Sequence, residues 1–242
     1  MSAAATWCWG AEVEQRRVVR VVEAIASQPA ASLAQWLCSA AAKCLDSPGV
    51  GVSLAAPGDL LQTVCATEKA RDAEALQADL GEGPAYTARR HGRPVMVADL
   101  DLDHTWPAFG PAAAGLGIRA VFAFPLRRST VRLGALTLYR EVAGKLSDDH
   151  HADALVFARF ALDLFLAVQQ GLSDGELDRL FVDDTPNTAE IHQAAGMLSV
   201  QLNIAVGAAL AVLRAHAYAD GRSLHEVAGD VVGRRLRLDS GD

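Results

Sequence analysis

Positive charge is what this chain is short of. Its 242 residues carry 22 Lys and Arg against 29 Asp and Glu, for a formal net charge of −7. That balance works against a nonspecific coat on nucleic acid or on an anionic membrane, so any contact with a polyanion must be local. Long apolar runs are missing as well. Nothing approaches the ~18–20 uninterrupted apolar residues of a membrane helix; the nearest stretch, Phe157 to Val168, is broken by Arg159 and Asp163. The N-terminus has no basic segment ahead of its short apolar run, so no signal peptide is expected. Cysteine is scarce. Cys8, Cys38, Cys44 and Cys65 make no CxxC pair and no zinc spacing, and they read as free thiols of a cytoplasmic protein. Catalytic signatures are missing too: no Ser, His and Asp set carries a nucleophile motif such as GxSxG. No catalytic residue is assigned, and the chain reads as a non-enzyme.

What is present is ordinary globular material, 51% hydrophobic and 21% charged, long enough for one large or two modest domains. Glu12 to Ser27 reads as an entry helix closed by Pro29, and Leu33 to Leu45 as a second helix. Val50–Leu54 and Leu60–Ala66 are strand-like, joined across Pro57-Gly58-Asp59. A helix follows over Glu68–Leu80, then a short strand over Val95–Val97 and fuller ones over Ala120–Leu126 and Leu133–Tyr139. Ser147 caps a long helix whose first-turn Asp148 and Asp149 complement the helix dipole; it runs to about Gln170. Strands joined as hairpins and flanked by helices make an α+β domain with an antiparallel sheet.

The C-terminal segment reads as three short helices. Ile191, Ala194, Ala195, Leu198 and Leu202 share one helical face. Ile204 to Tyr218 is almost wholly small and apolar before Arg214. Leu224, Val227, Ala228, Val231 and Val232 form the cleanest stripe, opened by Ser223 and Glu226 at capping-box spacing after an Asp220-Gly221 turn.

Three constellations fail on inspection. Asp99, Asp101 and Asp103 imitate a calcium loop, but the sixth position is His104 and the twelfth Gly110, where Gly and Glu are needed. Gly115-x-Gly117-x-x-Ala120 imitates a dinucleotide fingerprint, yet it leaves a helical run and enters a strand, the reverse of what that motif requires. His150-His151 has no further ligands spaced for zinc and reads as ordinary surface. No metal site is assigned.

Two resemblances organise the rest. Ile191, Gln193, Ala194, Gly196, Leu198, then Ala209, Leu213, Arg214, His216, Ala217, then Leu224, Val227 and Ala228 resemble an ANTAR domain, a three-helix module whose members bind paired RNA hairpins near terminators, usually as dimers, so that transcription continues. Gly81-Glu82-Gly83-Pro84, Gly92-Arg93-Pro94-Val95, Asp99-Leu100 with Trp106-Pro107, Pro125-Leu126, and Gly134-Ala135-Leu136 with Leu138-Tyr139-Arg140 resemble a GAF domain. That family implies a six-stranded antiparallel sheet with helices on its faces and often a small-molecule pocket over the sheet. Many relatives have Cys where this chain has Ala85, so thiol sensing there is not expected. The pairing resembles actinobacterial GAF–ANTAR antitermination regulators.

The resemblances imply an N-terminal segment over 1–19, a GAF-like sensor over 20–170, an acidic linker over 171–186 and an ANTAR module over 187–238. Arg214, His216, Arg222 and His225 are the implied RNA contacts, through guanidinium–phosphate and ring–base interactions. Ala194, Gly196, Ala209, Leu213, Ala217, Leu224, Val227 and Ala228 are the implied packing positions. Expected partners are RNA, a second copy of the chain, and a small-molecule or protein signal at the sensor; no cofactor and no membrane are expected. Coupling is expected to run through the helix after Ser147 and the acidic linker. One departure keeps a second reading open. Relatives usually have Lys where Ala195 stands, and from Ile191 to Arg237 five Arg face Asp220, Glu226 and Asp230, a net of +2. Phosphate contacts need positive groups, so the bundle could instead serve dimerisation or protein contact.

Overall fold

Alternation along the strands decides how the sheet is built. The computed structural model describes residues 16–21, 33–56, 60–171 and 188–237. Within them β1 (Gly49–Ala56), β2 (Leu60–Ala66), β3 (Val95–Val97), β4 (Ala120–Arg128) and β5 (Val131–Arg140) form one sheet in the order β2-β1-β5-β4-β3. Every pairing is antiparallel, as hairpin connections require. The expected sheet of six strands has five among the described residues.

Successive side chains of a strand point to opposite faces. One face presents Val50, Val52, Phe122, Phe124, Leu136 and Leu138 to α2 (Leu33–Cys44) and α6 (Asp148–Gly171). All six are essentially inaccessible, and each such side chain contributes about 1.5–3 kcal/mol on burial. The opposite face is covered by α3 (Glu68–Leu80), α4 (Pro84–His91) and α5 (Phe109–Gly115), which pack with Trp106, Val121 and Tyr139. Gly115 ends α5 and Ala120 opens β4, the helix-to-strand order that removed the dinucleotide motif.

Ser147 Oγ accepts from the His150 amide at 3.1 Å and caps α6. The first turns of α6 are clasped by α1 (residues 16–21): Arg17 bridges Asp149 and Asp153, both at 2.7 Å, and Arg20 also pairs with Asp153. The remainder of the entry helix, the Pro57–Asp59 connection and the acidic linker lie outside the described residues.

The C-terminal bundle comprises α7 (Thr188–Leu202), α8 (Val206–Asp220) and α9 (Leu224–Val232). Asn203 takes the left-handed conformation between α7 and α8, and Gly221 takes it after α8, residue types that adopt it at low cost. Ala194, Ala209, Leu213, Ala217, Leu224, Val227 and Ala228 are buried together in one core. Gly196 does not share that role: it is half-buried, and a Cβ there would meet nothing within 4 Å. Its small size brings no helices together. The capping box of α9 is complete, with the Glu226 amide donating to Ser223 Oγ at 3.2 Å and the Ser223 amide to Glu226 Oε2 at 3.0 Å. Ser223→Ala is therefore expected to destabilise the bundle by about 1 kcal/mol, read as a lowered urea midpoint with unchanged m-value.

Cys44 is a free thiol on the α2 side of the sheet, but Cys38 is disulfide-bonded, which corrects the expectation of four free cysteines. A disulfide needs two Cα atoms within about 7 Å, a proximity that spacing along the chain does not reveal. Among the described residues no single helix is long and apolar enough to cross a membrane.

Candidate functional site

The covered face of the sheet is lined by small residues at its centre. Gly49 and Gly51 of β1 stand opposite Tyr139 and Thr137 of β5. A Cβ on Gly51 would run into the Glu74 side chain, and one on Gly49 would lie 2.8 Å from Tyr139 Cβ. Into this space α3 inserts two polar residues on successive turns, Glu74 and Gln77, both buried.

Burial without partners would be costly for these groups, and partners are supplied from three elements. Ser53 of β1 donates to Glu74 Oε2, and Tyr139 of β5 donates its hydroxyl to Glu74 Oε1 at 2.7 Å. Gln77 Nε2 donates to the Tyr139 oxygen at 2.6 Å, while Gln77 Oε1 accepts from the Ala85 amide of α4 at 2.8 Å. Thr137 Oγ1 is buried beside the carboxyl but completes no hydrogen bond of ordinary geometry. Burial raises the Glu74 pKa, with the Ser53 and Tyr139 hydroxyls opposing it. Burial and then the neighbouring Glu74 carboxyl push the Tyr139 phenol well above its ordinary value. Polar side chains therefore fill the middle of this face, where the family resemblance implies a small-molecule pocket in many members but not all. The arrangement can hold or release one proton, and a polar ligand would have to displace or join it.

The turns around this network have mechanical roles. Glu82 Oε1 accepts from the Ala108 and Phe109 amides at 2.9 and 2.8 Å and so anchors the start of α5. Trp106 Nε1 donates to Thr87 Oγ1 at 3.0 Å. Asp99 and Asp101 both engage Arg119, and Asp103 accepts from the Thr105 amide. Those three carboxylates hold a loop, and no group of metal-ligating side chains is found among the described residues. His151 packs edge-on against Phe124 at 5.4 Å between centroids.

From this network the next neighbour is the bundle. Tyr86 follows Ala85; it is buried, and its hydroxyl accepts from the Leu61 amide at 3.1 Å and from Arg214 Nη2 at 3.3 Å. The Arg214 guanidinium also lies 5.9 Å from the Tyr86 ring centre, within cation–π range. Gly81, the left-handed cap of α3, leaves room for it: a Cβ there would lie 2.9 Å from Arg214 Nε. At the C-terminal end of α3, Asp79 Oδ1 accepts from the Leu224 amide at 3.2 Å, satisfying a first-turn donor of α9 and placing negative charge at that helix N-terminus. Burial raises the Asp79 pKa against the opposing pull of that amide and of Arg214. Leu60 of β2 enters the bundle core.

The other three implied RNA contacts do not join Arg214. His216 Nε2 lies 3.2 Å from Asp220, Arg222 pairs with Asp230 at 2.7 Å, and His225 Nδ1 lies 3.5 Å from Glu190. Asp230 also takes Arg235 at 2.7 Å. Much of the bundle's thin positive charge thus faces its own acids, while Arg214 faces the α+β domain. The Glu74–Gln77–Tyr139 network was not anticipated. Its sequence signal was polar residues, Ser53, Thr137 and Tyr139, all at positions sharing one face of the sheet.

The family model for the GAF domain matches residues 27–157. Among solved structures, the GAF domain of a phosphoenolpyruvate-protein phosphotransferase from Coxiella burnetii is 12% identical, with 64% of this chain and 94% of that one covered and a TM-score of 0.51. The corresponding Acinetobacter domain is 9% identical, covering 65% and 95%, with a TM-score of 0.47. The second GAF domain of DevS from Mycobacterium smegmatis is 19% identical, covering 56% and 93%, with a TM-score of 0.42. No curated protein matches the chain. With more than half of its length matched by the family model, the chain belongs to the GAF family of sensor and signalling domains, to which it adds a C-terminal three-helix bundle.

Proposed function

We propose that this protein is a transcription antitermination regulator in which the GAF domain controls an ANTAR-type bundle that binds paired RNA hairpins. The carrying observation is the contact of Arg214 with Tyr86, which supports direct control of output by sensor. Glu74 and Asp79 sit on one helix, about 7.5 Å apart along its axis, and Gln77 bonds the residue next to Tyr86. A signal that rearranges the buried network therefore has a short path to both bundle contacts. This route runs through α3 and α4; the α6 and linker route expected from the sequence passes through residues outside the described ones. A small-molecule or protein signal shifts the balance only by binding the docked and released arrangements with different affinity. The reading includes a homodimer and no catalytic step.

The test is binding of the full chain to tandem-hairpin RNA across a salt series. Arg214→Ala is expected to weaken binding roughly tenfold, the scale of one charge-assisted hydrogen bond at about 1.5–3 kcal/mol. Tyr86→Ala, which frees Arg214, is expected to strengthen it. RNA binding absent from both wild type and Tyr86→Ala would reject the reading. A second reading, a bundle for dimerisation or protein contact, is favoured by the pairing of Arg222 and Arg235 with Asp230; a stable dimer that ignores RNA would select it.

A further inference from the structure

Two stretches of the GAF domain hold arginine and no acid. Residues 84–98 contain Arg89, Arg90 and Arg93 without one Asp or Glu, and residues 120–139 contain Arg127, Arg128 and Arg132 likewise. The fold sets them side by side. α4 lies across β4 and β5. The Arg132 guanidinium reaches over Gly92, its Nε 3.0 Å from where a Cβ would stand, and donates to the Arg90 carbonyl. Arg127 is the register partner of Arg132 across the hairpin, so both project to the same side. Like charges directly opposite destabilise a strand pair. Arg93, Arg127, Arg128 and Arg132 are all exposed, and none is ion-paired with a described carboxylate. The crowding reaches Arg89, whose pKa is lowered by burial and then by Arg90. In a chain of net charge −7, guanidinium groups gathered in this way carry a repulsion that an anionic partner would offset.

We infer that this arginine face is a second nucleic-acid contact: it binds the phosphate backbone of the RNA that the bundle is proposed to hold. The inference rests on that RNA reading. Two observations and one point of chemistry favour RNA over other polyanions. Arg222 and Arg235 in the bundle face Asp230, so the bundle alone presents few cations. Guanidinium forks match phosphate geometry. The face begins one turn of α4 beyond Tyr86, the residue that carries Arg214, so it neighbours the bundle. Backbone contacts of this kind position a nucleic acid without reading its sequence.

The experiment measures Kd for a fluorescent RNA hairpin of ~20 base pairs across a salt series, where each phosphate contact contributes roughly 0.7–0.9 to the slope of log Kd on log salt. The variants are Arg127→Gln/Arg132→Gln, which removes the cross-strand pair that shares one side of the hairpin, and the triple variant that adds Arg93→Gln. Thermal unfolding of each establishes that it folds. The slope is expected to fall by about 1.6 in the double variant and about 2.4 in the triple, with Kd at ~0.1 M salt rising at least about tenfold. Folded variants with the wild-type slope, alongside weakened binding in Arg214→Ala, would overturn this inference and leave the RNA reading of the bundle standing. Wild-type protein that ignores the hairpin would overturn both. If that protein instead bound polyglutamate through the same arginines, the face would belong to an acidic protein partner.

Discussion

Glu74→Ala is expected to destabilise the protein by about 3–5 kcal/mol, the sum of a buried cavity and of donors left without an acceptor. Ser53 and Tyr139 both donate to this carboxyl, and each stranded hydroxyl costs about 1–3 kcal/mol. Against a typical total of 5–15 kcal/mol, the loss would be visible as a large fall in the urea midpoint. Glu74→Gln keeps volume and an acceptor oxygen, so its cost should be small. The pair also separates packing from charge. Burial raises the folded-state pKa of Glu74 above its unfolded value of about 4.3, so the native state binds this proton more tightly than the unfolded chain. Stability contributed by the carboxyl is then fully present below the unfolded pKa and is lost as pH rises toward the folded one. Asp79, raised by burial, acts in the same direction. Asp149, Asp230 and Glu226, lowered by Arg17, by Arg222 and by the Ser223 amide respectively, act in the opposite one. The informative quantity is therefore the difference between wild type and Glu74→Gln at each pH. That difference should move in favour of the Gln variant as pH rises above about 4.3; a constant difference would mean that Glu74 titrates alike in both states.

Gly134→Val is the second large effect. Gly134 sits on the central strand β5 opposite Leu54 of β1, and a Cβ there would collide with the Ser53 carbonyl oxygen and approach its carbon to 2.9 Å and Leu54 Cα to 3.0 Å. All three are backbone atoms, so no rotamer can give way. Relief must come from separating β1 from β5, which also displaces Ser53 from its bond to Glu74 on α3. Overpacking usually costs about 1–3 kcal/mol and more where the backbone must move; the upper end is expected here, with Gly134→Ala already destabilising. Circular dichroism and urea unfolding would show it, and a Val variant as stable as wild type would mean the strands separate freely at this point.

Local signals were the legible ones. The strands read from alternation, α6 from Ser147 and its acidic first turn, and α9 from the Ser223–Glu226 spacing. Each of these depends on residues within one turn or one hairpin. The site was less legible because its parts come from distant segments. In isolation Glu74 and Gln77 belong to a polar helix and look solvated; they are buried because Gly49 and Gly51 leave space on a strand far away in sequence. Arg214 is singled out by the family resemblance, which points it at RNA. Its neighbours in space, Tyr86 and Gly81, lie over a hundred residues earlier, and no periodicity links them. The arginine face has the same character: neither half is unusual until α4 crosses the β4–β5 hairpin.

The clasp of Arg17 and Arg20 on Asp149 and Asp153 has a use as a ruler. α6 has 24 residues and so spans about 36 Å, with α1 held at its first turns. Reporter dyes placed at Asp148 and near Gly171 would sit at the two ends of one rigid rod. Their separation supplies an internal calibration against which a third dye on the bundle could be located by energy transfer.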